Sequence, residues 1–335
     1  MKKIFLIHAA LLCFIVSAGI RAGGEPADAY RISGPYTHKN LSLFLIHGKN
    51  SINAKKFLTL SEAMEQKKVT VHETDNVNQL NITNSSDFNI FIMSGDIVKG
   101  GKQDRVIQYN YIVPPGIKRM PISSFCVESG RWQQRGKEKA DRFSTSQEMI
   151  ASKDLKKSVK KSKSQTEVWS KVAEVQNDLE KNLGGPVRGS SESSLQLTLE
   201  NEKLIAAQKE YQKALGGILR DEKEVVGYAS AINGTINSAE VFASDILFKK
   251  LWPKLAKSSI VEAVAKNSKG AAFQAKTAED VKKFMVESEK AATVAAKDVN
   301  RRTKIVEKEA DDRLYYETRD ADNKGQWINK SYLMK

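Results

Sequence analysis

Two short stretches of this sequence gather the charged, amide and glycine residues from which a binding or catalytic site could be built. The first runs Ser94-Gly95-Asp96-Ile97-Val98-Lys99-Gly100-Gly101-Lys102-Gln103-Asp104-Arg105 and is too polar and glycine-rich for an ordinary hairpin tip. Gly100 and Gly101 let a backbone approach a ligand closely, and Lys102, Gln103, Asp104 and Arg105 set cations, an amide and a carboxylate beside them. It is not a P-loop, which needs Ser or Thr after its Lys and then a helix; here Gln103 and a strand follow. The second is Phe125-Cys126-Val127-Glu128-Ser129-Gly130-Arg131-Trp132, in which strand alternation sets Cys126 and Glu128 on one face and lets Arg131 and Trp132 leave the strand end.

Two chemistries suit these residues. Asp104, Arg105, Glu128 and Arg131 can form an ion-pair network that pins two loops, because an Arg–carboxylate fork fixes geometry well. Alternatively they line a site for an anionic ligand, with Asp96 and Glu128 as the carboxylate pair that glycoside hydrolysis would need. Trp132 reads as a core or lid aromatic before a stacking platform. His38, His47 and His72 have no Cys or His at ligand spacing, so neither a metal nor a cofactor is expected. Nothing in the sequence sets a histidine base beside Cys126, and nucleophilic catalysis finds no constellation.

The elements that must position these stretches are strands. From Leu41 to Val127, short apolar runs alternate with turn residues, and Leu41–Ile46, Val69–His72, Leu80–Thr83, Phe88–Met93, Val106–Val113 and Ile122–Val127 read as strands, with Ser61–Gln66 as one short helix. Lys153, Lys156, Lys157, Lys160, Lys161 and Lys163 against Asp154 alone read as a solvated linker. Val168, Val172, Val175, Leu179 and Leu183 mark one face of a helix ended by Gly184-Gly185-Pro186, and the Ser- and Gly-rich residues 187–195 read as a flexible joint. A helix from about Glu200 to Leu215 precedes a hairpin, Val225–Ile232 and Thr235–Phe242, turned by Asn233-Gly234. Asp245 caps a helix through Leu251, Pro253 sits at a bend and Ser258–Lys266 resumes helical spacing. Thr277-Ala278-Glu279-Asp280 is a capping-box pattern, and Leu314–Thr318 with Trp327–Leu333 close the chain as paired strands.

The expected fold class is therefore α+β, with an antiparallel β-rich meander or sandwich first and a mixed helix-and-hairpin part second. The expected division is a leader over 1–22, a β-rich part over 28–145, a basic linker and helix over 146–195 and an α+β part over 196–335 packing on the first. The leader rests on Lys2-Lys3, the apolar run from Ile4 to Ile20 and cleavage after Ala18 or Ala22, and it implies a secreted or periplasmic protein with no transmembrane segment after cleavage. Cys13 leaves with the leader, and Cys126 then reads as a buried small hydrophobe. Composition excludes collagen-like, low-complexity and cysteine-stapled classes: the 335 residues hold two Cys, seven Pro and 40% hydrophobic side chains. Lys and Arg number 54 against 40 acidic residues, a net +14, so an anionic small molecule or an anionic surface is the expected partner. Nucleic acid is not, because the lysine run carries no interleaved aromatics for base stacking.

The chain resembles the ADP-ribosylglycohydrolase (ARG) and rhodanese-phosphatase-superfamily-associated protein domain family. The resemblance is carried by Gly95-Asp96 with Gly100-Gly101-Lys102-Gln103-Asp104-Arg105, by Cys126 to Trp132, by Ala231-Ile232-Asn233-Gly234, and by Phe242 with Leu251-Trp252-Pro253-Lys254-Leu255. It covers roughly residues 30 to 270, leaving out the Lys153–Lys163 run and the tail beyond about Lys276. What it implies is limited to a hint of nucleotide or ADP-ribose chemistry, with no activity assigned to any residue. The expected function is accordingly a binding or interaction module for an anionic sugar or nucleotide-like ligand, with Asp96, Gly100, Gly101, Lys102, Gln103, Asp104, Arg105, Glu128, Arg131 and Trp132 as ligand-binding candidates. The alternative is a hydrolase using Asp96, Asp104 or Glu128.

Overall fold

The computed structural model describes residues 25–161, 164–267 and 272–335, so the expected leader over 1–22 and Lys163 lie outside the described residues. In chain order the elements are β1 (Arg31–His38), β2 (Leu41–His47), β3 (Phe57–Thr59), α1 (Leu60–Glu65), β4 (Val69–His72), β5 (Gln79–Asn84), β6 (Asn89–Ile92), β7 (Asp96–Gly100), β8 (Arg105–Ile107), β9 (Tyr111–Val113), β10 (Met120–Cys126) and β11 (Phe143–Ile150). There follow α2 (Lys153–Lys161), α3 (Gln165–Leu183), α4 (Leu195–Leu199), α5 (Glu202–Leu215), β12 (Val225–Ile232), β13 (Thr235–Phe242), α6 (Asp245–Ala265), α7 (Ala278–Lys290), β14 (Ala292–Asp298), β15 (Thr303–Glu309), β16 (Arg313–Asp320) and β17 (Gln326–Met334). The fold is α+β, and its sheets are mostly antiparallel.

One sheet runs β1-β2-β12-β13-β17-β16-β15-β14 and joins the first and last strands of the described residues. Its strands β2, β12 and β13 are buried along nearly their whole length, as expected of strands covered on both faces. On one face α6 packs Leu247, Phe248, Leu251 and Leu255 against Tyr228 and Phe242; on the other α7 packs Val281, Phe284 and Met285 against Tyr315 and Tyr332. A second sheet, β11-β7-β8-β10-β5-β4, carries both stretches singled out above, and a small third one, β3-β6-β9, contains a parallel pair, β3 with β6.

Local chemistry explains most boundaries. Thr59 and Glu62 form a capping box on α1, as do Thr277 and Asp280 on α7. Gly184 takes a left-handed φ of 68° to end α3, and Asn233-Gly234, both at positive φ, turn the β12–β13 hairpin. Three expectations need correction. Residues 153–161 are not a solvated linker but helix α2, because Leu155 and Val159 enter the core and Lys156 finds Glu240 at 3.2 Å. Residues 187–194 are not a free joint, since Val187 and Ser194 are buried and the Ser194 amide bonds the Ser191 carbonyl. The two expected helical stretches flanking Pro253 are one helix, α6, with Pro253 inside it. Strands β1, β3, β7, β11, β14 and β15 lie outside the expected runs, and the expected run Val106–Val113 is split between β8 and β9, which belong to different sheets.

Candidate functional site

Asp96 to Gly100 is itself a strand, so the first stretch is a hairpin, with Ile97 opposite Val106 and Val98 opposite Arg105. Strand β10 lies on the other side of β8, with Cys126 opposite Arg105. This adjacency delivers Glu128, just past the end of β10, to the hairpin turn, where its carboxylate accepts from the Asp104 amide at 3.2 Å.

Asp104 and Glu128 have no exposed surface. Both are held by guanidinium groups: Arg131 lies 2.6 Å from Glu128 and 3.5 Å from Asp104, and Arg135 grips Asp104 with two nitrogens at 3.0 Å each, Glu128 at 3.3 Å and Glu138 at 2.9 Å. Asp104 also accepts from the Gly100 amide and the Ser194 hydroxyl, both at 3.0 Å. Burial, and after it the neighbouring Glu128 charge, pushes the Asp104 carboxyl above its ordinary range. Burial pushes Glu128 up too, but hydrogen bonds from Arg131 and Ser191 outweigh it and hold that carboxyl below its ordinary range.

Arg105, fully buried, pairs not with Asp104 or Glu128 but with Glu73, both of whose oxygens lie 3.4 Å from it, and donates to the Gln103 carbonyl at 2.7 Å. Gln103 in turn donates to the Glu128 carbonyl. Lys102 pairs with Asp75 at 2.8 Å, and Trp132 lies over both cations, its ring centre 5.3 Å from the Lys102 ammonium and 6.0 Å from the Arg105 guanidinium. Trp132 is 45% exposed and is therefore not a core aromatic. Asp96 belongs elsewhere: Lys254 holds it at 2.9 Å and the Met93 amide takes its other oxygen. Cys126 is buried, which pushes its thiol up to about 11 and makes it a packing residue.

The glycine pair serves the turn, not a ligand. Gly101 has φ +57°, and a Cβ there would meet the Phe143 ring at 2.3 Å and the Glu73 carboxylate at 2.7 Å. Its amide bonds the carbonyls of Lys139 at 3.0 Å and Arg142 at 3.3 Å, while the Gly100 amide is taken by Asp104. With both N–H groups occupied, Gly100-Gly101 cannot cradle an anion; they fasten the 139–142 segment to the hairpin.

That fastened segment forms the wall of an open pocket of about 550 Å³, lined by Lys99, Arg135, Lys137, Glu138, Lys139, Arg142, Phe143 and Ser144. Lys99 is bound to Glu200, Arg135 to Asp104 and Arg142 to Asp141. The Lys137 and Lys139 side chains are exposed and form no hydrogen bond or ion pair among the described residues, although the Lys139 charge acts on Asp141. The sequence reading stopped at Trp132 and missed Arg135, Lys137 and Lys139; the recurrence of Arg at 131 and 135 beyond the buried Glu128 was the signal available. Among the described residues no group of His, Cys, Asp and Glu clusters as metal ligands, and no helix is long and apolar enough to cross a membrane.

A family model described as the ARG and Rhodanese-Phosphatase-superfamily-associated Protein domain matches residues 29–333. The match extends past the 30 to 270 carried by the motifs, so α2 and the closing strands fall within it. No curated protein and no solved structure matches the chain.

Proposed function

Since the chain belongs to the ARG and Rhodanese-Phosphatase-superfamily-associated Protein domain family, whose name sets it beside ADP-ribose and phosphate-ester enzymes without assigning it a reaction, we propose that it is a binding module for an anionic, phosphate-bearing sugar or nucleotide. The ligand sits in the pocket of Lys99, Arg135, Lys137, Lys139 and Arg142. The observation that carries this reading is charge: those cations face one carboxylate, Glu138, around a volume in the range of small-molecule sites. Arg135 supplies fixed positive charge rather than a contact: its guanidinium nitrogens are taken by Asp104, Glu128, Glu138 and Ser194, so it raises the local potential without a free donor for the phosphate. The unpartnered Lys137 and Lys139 supply the adaptable charge.

The carboxylates Asp104 and Glu128 are positioning residues in this account. A hydrolytic role would need one of them free to meet substrate or water, yet their oxygens accept from Arg135, Arg131, Ser194 and backbone amides, and neither lines the pocket. The proposal includes export to a secreted or periplasmic location, which the Lys2-Lys3 start and the apolar run to Ile20 support. The test is a melting-temperature panel with inorganic phosphate, pyrophosphate, ribose 5-phosphate and ADP-ribose. A ligand present at 100 times its dissociation constant stabilises by about 2.7 kcal/mol, and an upshift with at least one of these anions, absent with uncharged ribose, is expected. A panel that moves nothing refutes the reading.

A further inference from the structure

A second pocket of about 600 Å³ lies where the β14–β15 turn meets the β9–β10 connection, and unlike the charged site its walls are mainly apolar. Pro114, Ile117, Met120 and Pro121 come from the connection, and Val299 comes from the turn. Ile117, Met120 and Val299 pack outward from the core cluster of Leu80, Ile82, Tyr111 and Ile122, so the apolar floor is continuous with the interior.

The turn is held firmly. Arg302 places two nitrogens on Asp320 at 2.8 Å each, the Asn300 side-chain oxygen Oδ1 accepts from the Arg302 and Thr303 amides, and the Thr303 hydroxyl accepts from the Ile112 amide at 2.8 Å. These bonds tie the turn to strands of two sheets, so the pocket is formed without a ligand. Arg302 is thereby spent. Arg301, next to it on the pocket wall, is exposed and has no hydrogen-bond or ion-pair partner among the described residues. The acidic residue of the rim, Asp322, lies 3.7 Å from Arg302, and the loop over 114–121 adds Lys118 and Arg119 with no acidic side chain.

An apolar cleft with one uncommitted guanidinium at its mouth is complementary to one class of molecule. We propose that this pocket binds a free amphiphilic anion, with its apolar body against Ile117, Met120 and Val299 and its carboxylate or sulfonate head on Arg301. Arg presents a planar fork of donors that matches such a head in two places. The cleft, not a flat surface, selects a free molecule over a membrane face.

The probe is 8-anilinonaphthalene-1-sulfonate, whose fluorescence rises on entering an apolar site, with decanoate and decanol as competitors. Saturable enhancement is expected at one site, displaced by decanoate and weakly by decanol. Because a hydrogen bond to a charged group is worth more than one between neutral groups, Arg301→Gln should weaken decanoate about tenfold or more, and Arg301→Glu further. Both variants alter an exposed, unpartnered side chain and should keep the wild-type melting temperature. Lys137→Glu with Lys139→Glu, in the other pocket, should leave dye binding unchanged. The proposal is overturned if no saturable enhancement is seen, if decanol competes as well as decanoate, or if the lysine variant rather than Arg301→Gln removes binding.

Discussion

At the scale of single residues, the centre of the account is Arg135. It spans Asp104, Glu128 and Glu138 and lines the pocket. Removing it leaves two buried carboxylates sharing Arg131 alone, and breaking a buried pair in this way costs about 3–5 kcal/mol. Arg135→Ala should therefore lower the free energy of unfolding by that amount in urea titration, and Arg135→Lys should recover only part of it because a point charge cannot grip Asp104 twice. The carboxylates also set an acid dependence. Glu128 has its pKa lowered in the folded state, so its stabilisation is complete above the ordinary glutamate pKa and is lost as pH falls through the folded value. Asp104, raised by burial, works in the opposite sense: between its ordinary and its raised value the folded state binds the extra proton, and stability from this group falls as pH rises. Glu128→Gln should consequently flatten the acid limb of the stability–pH curve below about pH 4.5, which urea midpoints measured from pH 3 to 7 would reveal; an unchanged slope removes Glu128 from the explanation.

At the scale of elements, α2 is the instructive case. Its lysines outnumber its apolar residues, yet Leu155 and Val159 fall one helical turn apart and reach the core, while Lys156 meets Glu240 and Lys160 lies over the Tyr316 ring at 3.7 Å. Burial pulls the Lys160 ammonium down to about 8. Leu155→Ala should cost about 2–5 kcal/mol, and limited trypsin digestion of the native protein should spare residues 153–161; early cleavage there would contradict the packing described. Composition alone misleads in this segment, because two apolar side chains at the right spacing decide a helix that the surrounding charges obscure. Where pattern was local, the sequence sufficed: the Asn233-Gly234 hairpin, the Thr277–Asp280 cap and the Gly184 stop all carry their own geometry. The adjacency of the Gly95–Arg105 and Phe125–Trp132 stretches followed from neighbouring strands. What could not be read was set by distant partners: Glu73 taking Arg105 and Lys254 taking Asp96 are pairings between residues far apart in sequence. The Gly100-Gly101 pair invited a ligand reading because glycine's freedom is visible in sequence, whereas the Phe143 ring that requires it is not.

At the scale of the whole molecule, one sheet threads β1 and β2 beside strands formed by the last third of the chain, and α6 bridges that sheet to β11 of the second. The wall of the basic pocket is thus anchored, through β11 and the β7–β8 hairpin, to the common core. The net charge of +14 acts on the same scale, drawing anions toward the molecule over distances that added salt shortens. Anion binding in the basic pocket is tested by a calorimetric titration of ADP-ribose into the wild type and into Lys137→Glu with Lys139→Glu, each in about 50 mM and about 300 mM NaCl. Stoichiometric binding to the wild type that weakens in the higher salt is expected, with loss of about tenfold or more in affinity in the variant at a melting temperature close to wild type, since neither exposed lysine side chain holds a hydrogen bond or ion pair among the described residues. Binding that is equally tight in the variant and indifferent to salt, or no heat at all in the wild type, would contradict anion binding in this pocket.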